Sequence, residues 1–230
     1  PADCGPVCIS LCQDIQGEIF DYPEDFFKEK IHNIRRPRPD DFQIKEAAEK
    51  IKKSKNPIII SGGGVFYSDA MEELSTFAVK HNIPVTQTVM GYSSMKRDHS
   101  HFLGPIGGLG GKAANNFAKK TDLAIAIGTK LGDFTTGSWS NFENPNFSLV
   151  SINVARFDAS KHMAQSIIGD AKVSLNELSQ ALGDWKASEE WHKKSRDELK
   201  SWNEYVDKER GPTNQEVPSY AHAVGAIYRN

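Results

Sequence analysis

Two glycine-rich runs carry the residue types that could hold a phosphate. The first, Ser61-Gly62-Gly63-Gly64, follows the β-branched run Pro57 to Ile60 and precedes a helical pattern. At such a turn, backbone amides and the start of a helix dipole favour an anion, although a tight strand-to-helix turn needs the same glycines. The second, Gly108-Leu109-Gly110-Gly111-Lys112-Ala113, matches the dinucleotide pattern in form but follows no clear strand. It is no P-loop, because Ala113 stands where Ser or Thr is needed and Ile106 where the first glycine is needed. Gly62, Gly63, Gly104, Gly128 and Lys130 are therefore the candidates for a nucleotide groove.

Other reactive groups have plainer readings. Cys4, Cys8 and Cys12 sit four apart, but Gly5-Pro6 with Val7, Ile9 and Leu11 predicts a strand over Pro6 to Leu11. Cys8, Ser10 and Cys12 then share one of its faces as buried thiols rather than metal ligands. An odd number of clustered cysteines is a poor disulfide framework and points to a reducing cytoplasm. His99 and His101 flank Ser100 in a polar loop, and no Cys, Asp or Glu cluster has metal-ligand spacing. Gly169-Asp170 resembles the start of a metal-diphosphate motif, yet Ala171 replaces the glycine, so Asp170 reads as a helix cap. No Ser-His-Asp or Cys-His constellation can be assembled.

The elements that position these groups alternate. Asp40 and Gln43 make a capping pair for a helix with Ile44, Ala47, Ala48 and Ile51 on one side. After the Pro57 strand, Ser68 is placed to cap a helix with Met71, Leu74, Phe77 and Ala78 inward. Strands follow at Pro84 to Thr88, Leu123 to Ile127, Leu149 to Val154 and near Ile167-Ile168. Helices follow with Ala113, Ala114, Phe117 and Ala118, and with Leu175, Leu178 and Leu182, inward. This alternation predicts an α/β domain over residues 40–182, a doubly wound, Rossmann-like parallel sheet covered on both faces.

Both flanks differ from that pattern. Residues 13–39 lack periodicity and end in Arg35-Arg36-Pro37-Arg38-Pro39, an extended linker whose arginines either clamp an anion or stay solvated between domains. From Ser188 to Arg210 a charged helix carries Trp191, Ser195, Glu198, Trp202 and Tyr205 on one stripe, which must dock on the domain or a partner. Gly211-Pro212 ends it, and a further helix from Tyr220 to Tyr228 has Val224 and Ile227 inward. The strand before the linker and this last helix are expected to belong to neighbouring domains. Across 230 residues the net charge is −2, with 38% hydrophobic and 25% charged residues. That balance gives no electrostatic reason to expect nucleic acid or a membrane surface, and no apolar run is long enough to span a bilayer.

The run from Gly5 to Ile152 resembles the middle of the acetolactate-synthase-like thiamine-diphosphate enzymes. Gly5-Pro6-Val7 with Gln13-Asp14-Ile15-Gln16 is similar to the end of their pyrimidine-binding domain. Pro57 to Gly64, Ile83-Pro84-Val85, Gly104 with Gly107, Ala118 to Asp122, Ile127-Gly128-Thr129 and Gly169-Asp170-Ala171 follow their central-domain pattern in order. Further strings resemble the branch that opens a cyclic trihydroxydione to 5-deoxyglucuronate during myo-inositol breakdown. They are Leu11-Cys12-Gln13-Asp14, Asp21-Tyr22-Pro23-Glu24, Asp133 to Trp139, Phe157-Asp158-Ala159 with Lys161-His162, Ala181 to Trp185, and Pro212-Thr213-Asn214.

The resemblance implies three pieces: 1–39 as the tail of a pyrimidine-binding domain and linker, 40–182 as the central domain, and 183–230 as a linker helix and the start of a diphosphate-binding domain. It places the activating glutamate before Pro1 and the magnesium-diphosphate motif after Asn230, so no catalytic residue carries over. This chain alone is expected to be inactive and to bind no cofactor, whereas the whole enzyme would use thiamine diphosphate and magnesium. The resemblance further implies a cytoplasmic homo-oligomer acting on a small cyclic dione. Flavin is not expected. Where flavin-binding relatives read Gly-x-Arg-Phe-Asp-Asp-Arg, this chain has Gly128-Thr129-Lys130-Leu131-Gly132-Asp133-Phe134, without either arginine. Lys130 could still hold a phosphate as a point charge. Two alternatives stay open: a carboligase of the acetolactate-synthase type, or a noncatalytic nucleotide-binding module.

Overall fold

The computed structural model describes residues 7–31, 33 and 35–230. Six strands form one parallel sheet: β1 (Pro57–Ser61), β2 (Val85–Gln87), β3 (Phe102–Pro105), β4 (Leu123–Ile127), β5 (Ser148–Asn153) and β6 (Gln165–Ile168). Their order is β3-β2-β1-β4-β5-β6, so the chain works outward from β1, then crosses to β4 and works outward the other way. The helices are α1 (Gln13–Gln16), α2 (Asp41–Lys53), α3 (Gly64–Tyr67), α4 (Met71–His81), α5 (Lys112–Ala118), α6 (Asp133–Thr136), α7 (Arg156–Ser160), α8 (Ala171–Leu182), α9 (Glu189–Glu209) and α10 (Tyr220–Arg229). β1 and β4 are buried along their whole length, as a central strand covered by helices on both faces must be. The doubly wound α/β expectation is met.

Local chemistry explains most boundaries. Asp40 caps α2 by accepting from the Phe42 N–H at 2.8 Å, and Ile44, Ala47, Ala48 and Ile51 are buried beneath it. Gln43 does not complete that cap. Its side-chain oxygen accepts from the Ile168 N–H at 2.9 Å and ties α2 to β6. Asp170 caps α8 through the Lys172 and Val173 N–H groups, with Leu175, Leu178 and Leu182 inward.

Several expectations are corrected. β3 is a strand the glycine and proline content concealed, so the Gly104–Gly111 run does follow a strand. Ser68 caps no helix start. It closes the single turn α3, and its hydroxyl accepts from the Ala171 N–H, while α4 begins three residues later behind Ala70. Met71 is consequently 40% exposed, although Leu74, Phe77 and Ala78 are buried. Residues 7–12 form no strand: with nothing paired alongside, Val7, Ile9 and Leu11 are exposed, and so are Cys8 and Cys12. Pro6 and Cys4 lie outside the described residues. Val224 and Ile227 on α10 are likewise exposed, because only Gly225 of that helix is buried, where Arg210 crosses it.

Two of the linker arginines, Arg36 and Arg38, are structural. Arg36 donates to the Ser68 carbonyl and, at 3.1 Å, to Asp170, whose own N–H donates to Pro37 at 2.8 Å. Arg38 reaches Glu177 at 2.5 Å and Asp41 at 3.3 Å. Helix α9 docks on the sheet rather than standing free. Trp191 stacks on Phe117 with centroids 3.9 Å apart and donates its indole N–H to the Pro57 carbonyl at 2.8 Å. Ser195 and Leu199 are buried along the same stripe.

Candidate functional site

In a parallel sheet with this order, ligands bind where the chain direction reverses, at the carboxyl ends of the two central strands. Here that point lies between β1 and β4, and a cavity of about 580 Å³ opens there. Its walls are Gly63 and Gly64 after β1, Thr88 to Met90 after β2, Gly128 to Gly132 after β4, Asn153 to Ala155 after β5, and Asp170. Arg35 and Pro37 of the linker close one side.

The glycines at the floor have a packing duty. The Gly62 N–H donates to Ile127 at 2.8 Å and the Gly64 N–H to Gly128 at 2.9 Å, so both amides are spent on the neighbouring turn. A Cβ on Gly62 would lie 2.4 Å from the Gly128 carbonyl oxygen, and one on Gly64 2.6 Å from the Gly128 Cα. Gly128 itself has φ +59°. The two turns are thus pressed backbone to backbone, which is why β1 and β4 can deliver their ends to one crevice. The single-turn α3 that follows offers no sustained helix dipole.

The predicted residues are partly brought together. Gly63, Gly128 and Lys130 line the crevice, while Gly62 packs against Gly128 and Thr129. Gly104 does not join them: it sits in β3, two strands from β1, with φ +106°. The second glycine run is closed to ligands. Asn115 bonds both the Gly107 N–H and the Gly107 carbonyl at 2.9 Å, and the Gly108 N–H donates to Phe134 at 2.7 Å. The Gly110 and Gly111 N–H groups bond Gly107 and Pro105, and Trp202 covers Gly111.

Electrostatics favour an anion in the open crevice. Asp158 is paired with Lys161 at 2.8 Å and Asp170 with Arg36 at 3.1 Å, so these carboxylates are already compensated. Among the described residues, Lys130 and Arg35 have no carboxylate within 4.0 Å. Thr129 and Asn153, which donates to the Thr129 carbonyl at 3.2 Å, were not legible as site residues, whereas Arg35 comes from the linker run for which an anion clamp was one of two readings.

The histidines read as loop residues are placed differently. His101 is buried, and its ring stacks on His192 of α9 at 4.2 Å. Burial, then the neighbouring His192, His99 and Arg196, push it down to about 4. His81 is also buried and held low, first by desolvation. Among the described residues, no group of three His, Cys, Asp or Glu side chains is placed to hold a metal ion. Asp170 in particular has its oxygens engaged by the α8 amides and Arg36. Among the described residues, then, no side-chain set fits a magnesium-diphosphate group.

Residues 44–178 match the family described as thiamine pyrophosphate enzyme, central domain. The chain is 49% identical over 182 residues to the 3D-(3,5/4)-trihydroxycyclohexane-1,2-dione hydrolase of Clostridium perfringens, covering 79% of this chain and 28% of that protein. The protein of the same name from Clostridium botulinum is 44% identical over 212 residues, covering 90% of this chain and 32% of that protein. That from Geobacillus thermodenitrificans is 36% identical over 239 residues, covering 98% of this chain and 37% of that protein. The chain thus spans about a third of the length of these relatives.

Proposed function

Because the chain belongs to the central-domain family of thiamine pyrophosphate enzymes, we propose that it is the scaffold module of a hydrolase that opens the ring of trihydroxycyclohexane-1,2-dione. The observation that carries this reading is the 49% identity to a hydrolase so named, over 79% of the chain. In this reading residues 40–182 are the central domain, with 1–39 and 183–230 as the flanking pieces of a pyrimidine-binding and a diphosphate-binding domain. The whole protein works as a cytoplasmic homo-oligomer with thiamine diphosphate and magnesium, and the cofactor supplies the carbanion for C–C cleavage. This chain's part is to fix the distance and angle between the two flanking pieces through the Arg36–Asp170 and Arg38–Glu177 ties and the seat of Trp191.

The crevice is a place for a small anion at Lys130 and Arg35, not for a flavin. Hydrolysis delivers water and a proton where carboligation delivers a second carbonyl, so the two reactions differ in product. The complete protein, supplied with thiamine diphosphate and magnesium, is expected to convert the cyclic dione to an open-chain acid and to leave pyruvate unchanged, as read by product mass. Acetolactate from pyruvate with an untouched ring overturns the hydrolase reading. The purified complete protein is also expected to be colourless; a flavin absorbance band refutes the assignment of the crevice.

A further inference from the structure

β3 is the edge of the sheet, and an edge strand must have its outward carbonyls covered if it is not to pair with another chain. Here α9 covers them with side chains. Arg196 donates to the Phe102 carbonyl at 3.3 Å, and His192 Nε2 donates to the Ser100 carbonyl at 3.1 Å. His192 also lies flat on His101, with centroids 4.2 Å apart and planes 16° apart. His99 is also near, with its centroid 5.7 Å from that of His101. Three imidazoles and a guanidinium therefore meet at one seam, with Asp98 the carboxylate that acts on His99.

The hydrogen bonds define the protonation state this seam requires. Asn82 Nδ2 donates to Ala187 at 3.2 Å, so its Oδ1 faces His101 Nε2 at 3.2 Å as an acceptor, and Nε2 carries the proton. The Ser100 hydroxyl then donates to His101 Nδ1 at 2.9 Å. His99 Nδ1 accepts from the His101 N–H at 3.1 Å, which leaves His99 Nε2 to donate to Ser75 at 2.9 Å. Every bond is satisfied with His99 and His101 neutral. A second proton on His101 would put a buried cation against His192 and Arg196 with no carboxylate among the described residues in hydrogen-bond reach.

We propose that the α9–β3 seam is an acid-sensitive latch, in which protonation of the imidazole stack loosens the His192–Arg196 stretch of α9 from edge strand β3 while Trp191 keeps the helix tethered. The sign follows from linkage. His101 is held down to about 4 when seated and returns to ~6.5 when released. The released state therefore takes up the proton first, and the seam weakens as pH falls below ~6.5. For that one group, acidification from about pH 7.5 to about pH 5 favours the released state by roughly thirty-fold.

Hydrogen exchange on the full chain tests this, with protection factors compared so that the pH dependence of intrinsic exchange cancels. The expected result is that α9 and β3 amides lose protection by roughly an order of magnitude or more at about pH 5, while β1 and β4 keep theirs. His192→Gln, at the half-buried rim, and His101→Gln, at the centre, should each lessen that step, His101→Gln the more because burial is the first cause that holds its imidazole down. If His101→Gln fails to fold, His192→Gln alone decides. Unchanged protection of α9, loss in parallel with β1 and β4, or a step that persists undiminished in the folded variants overturns the latch.

Discussion

Two glycine-rich turns of this molecule look alike in sequence and do opposite things. The turn after β1 and the turn after β3 both end a parallel strand and both press glycine backbone against a neighbour. After β1 the neighbour is the Gly128 turn of β4, across the reversal point of the sheet, and the contact leaves a crevice above it. After β3 the neighbours are the Phe134 carbonyl, Asn115 and Trp202, and the Gly107, Gly108, Gly110 and Gly111 amides are consumed. Glycine alone therefore marks close backbone approach. Whether a ligand can enter is decided by where the strand lies in the sheet order, which no local pattern records.

The steepest test of the comparison is steric. Gly107 has φ +104°, and a Cβ there would lie 2.0 Å from the Phe134 carbonyl oxygen. Gly62→Ala would place its Cβ 2.4 Å from the Gly128 carbonyl oxygen. Each substitution is expected to cost about 3 kcal/mol or more, since backbone must move to accept it. Gly104→Ala is the control, because Gly104 has φ +106° but no atom within 4 Å of the added Cβ. Its cost should be backbone strain alone, about 1–2 kcal/mol. Urea midpoints of the three variants separate the terms; equal costs at Gly104 and Gly107 would show that the loop is not pinned by Phe134.

Periodicity made the sheet core and most helices legible. The run Leu123 to Ile127 could only be a strand buried on both faces, and Ile44, Ala47, Ala48 and Ile51 could only be one helix face. β3 was hidden because Gly104 and Pro105 lower its strand signal, and its neighbours hold it in place. The Gln43 bond to β6, the Arg36 bond to Asp170 and the His101–His192 stack join residues far apart in the chain, so no spacing rule reports them. Exposure of residues 7–12 failed the alternation rule for the same reason: alternation marks a strand only where a partner exists. At the site, Lys130 and Gly128 were readable from their run, whereas the linker arginines left two readings open, and Arg35 lines the crevice because the linker folds back over it.

The sealed side of the comparison depends on α9 being turned back onto β3, and His81 helps to turn it. Its ring bonds the Trp185 carbonyl at 2.8 Å and Ser179 at 3.0 Å, and its own carbonyl accepts from the Ala187 N–H at 2.9 Å. Desolvation holds the imidazole below its usual range against the opposing Trp185 bond. The unfolded chain therefore takes up this proton first, so the contribution is full above ~6.5 and is lost as pH falls through that value. The loss for this group is at most about 1.4 kcal/mol per pH unit. Urea midpoints at two pH values check it: His81→Gln should show a shallower decline between about pH 7.5 and about pH 5.5 than the unmodified chain. An unchanged slope would remove His81 from the account of the sealed side.

The smallest effect is expected on the open side, and its smallness is the point. Lys130 is exposed at the mouth of the crevice, with no carboxylate within 4.0 Å among the described residues. A surface cation without a partner contributes little to folding, so Lys130→Gln should change stability by no more than about 0.5 kcal/mol. If the crevice receives anions, the same substitution should weaken the binding of pyrophosphate, used as the probe in calorimetry. Loss of one point charge at a partly screened site predicts a several-fold change in affinity, reduced further at high salt. The opposite pattern would reverse the comparison: a destabilised Lys130→Gln chain that binds the probe unchanged would make Lys130 a structural residue and leave the crevice, like the Gly107 loop, a product of packing.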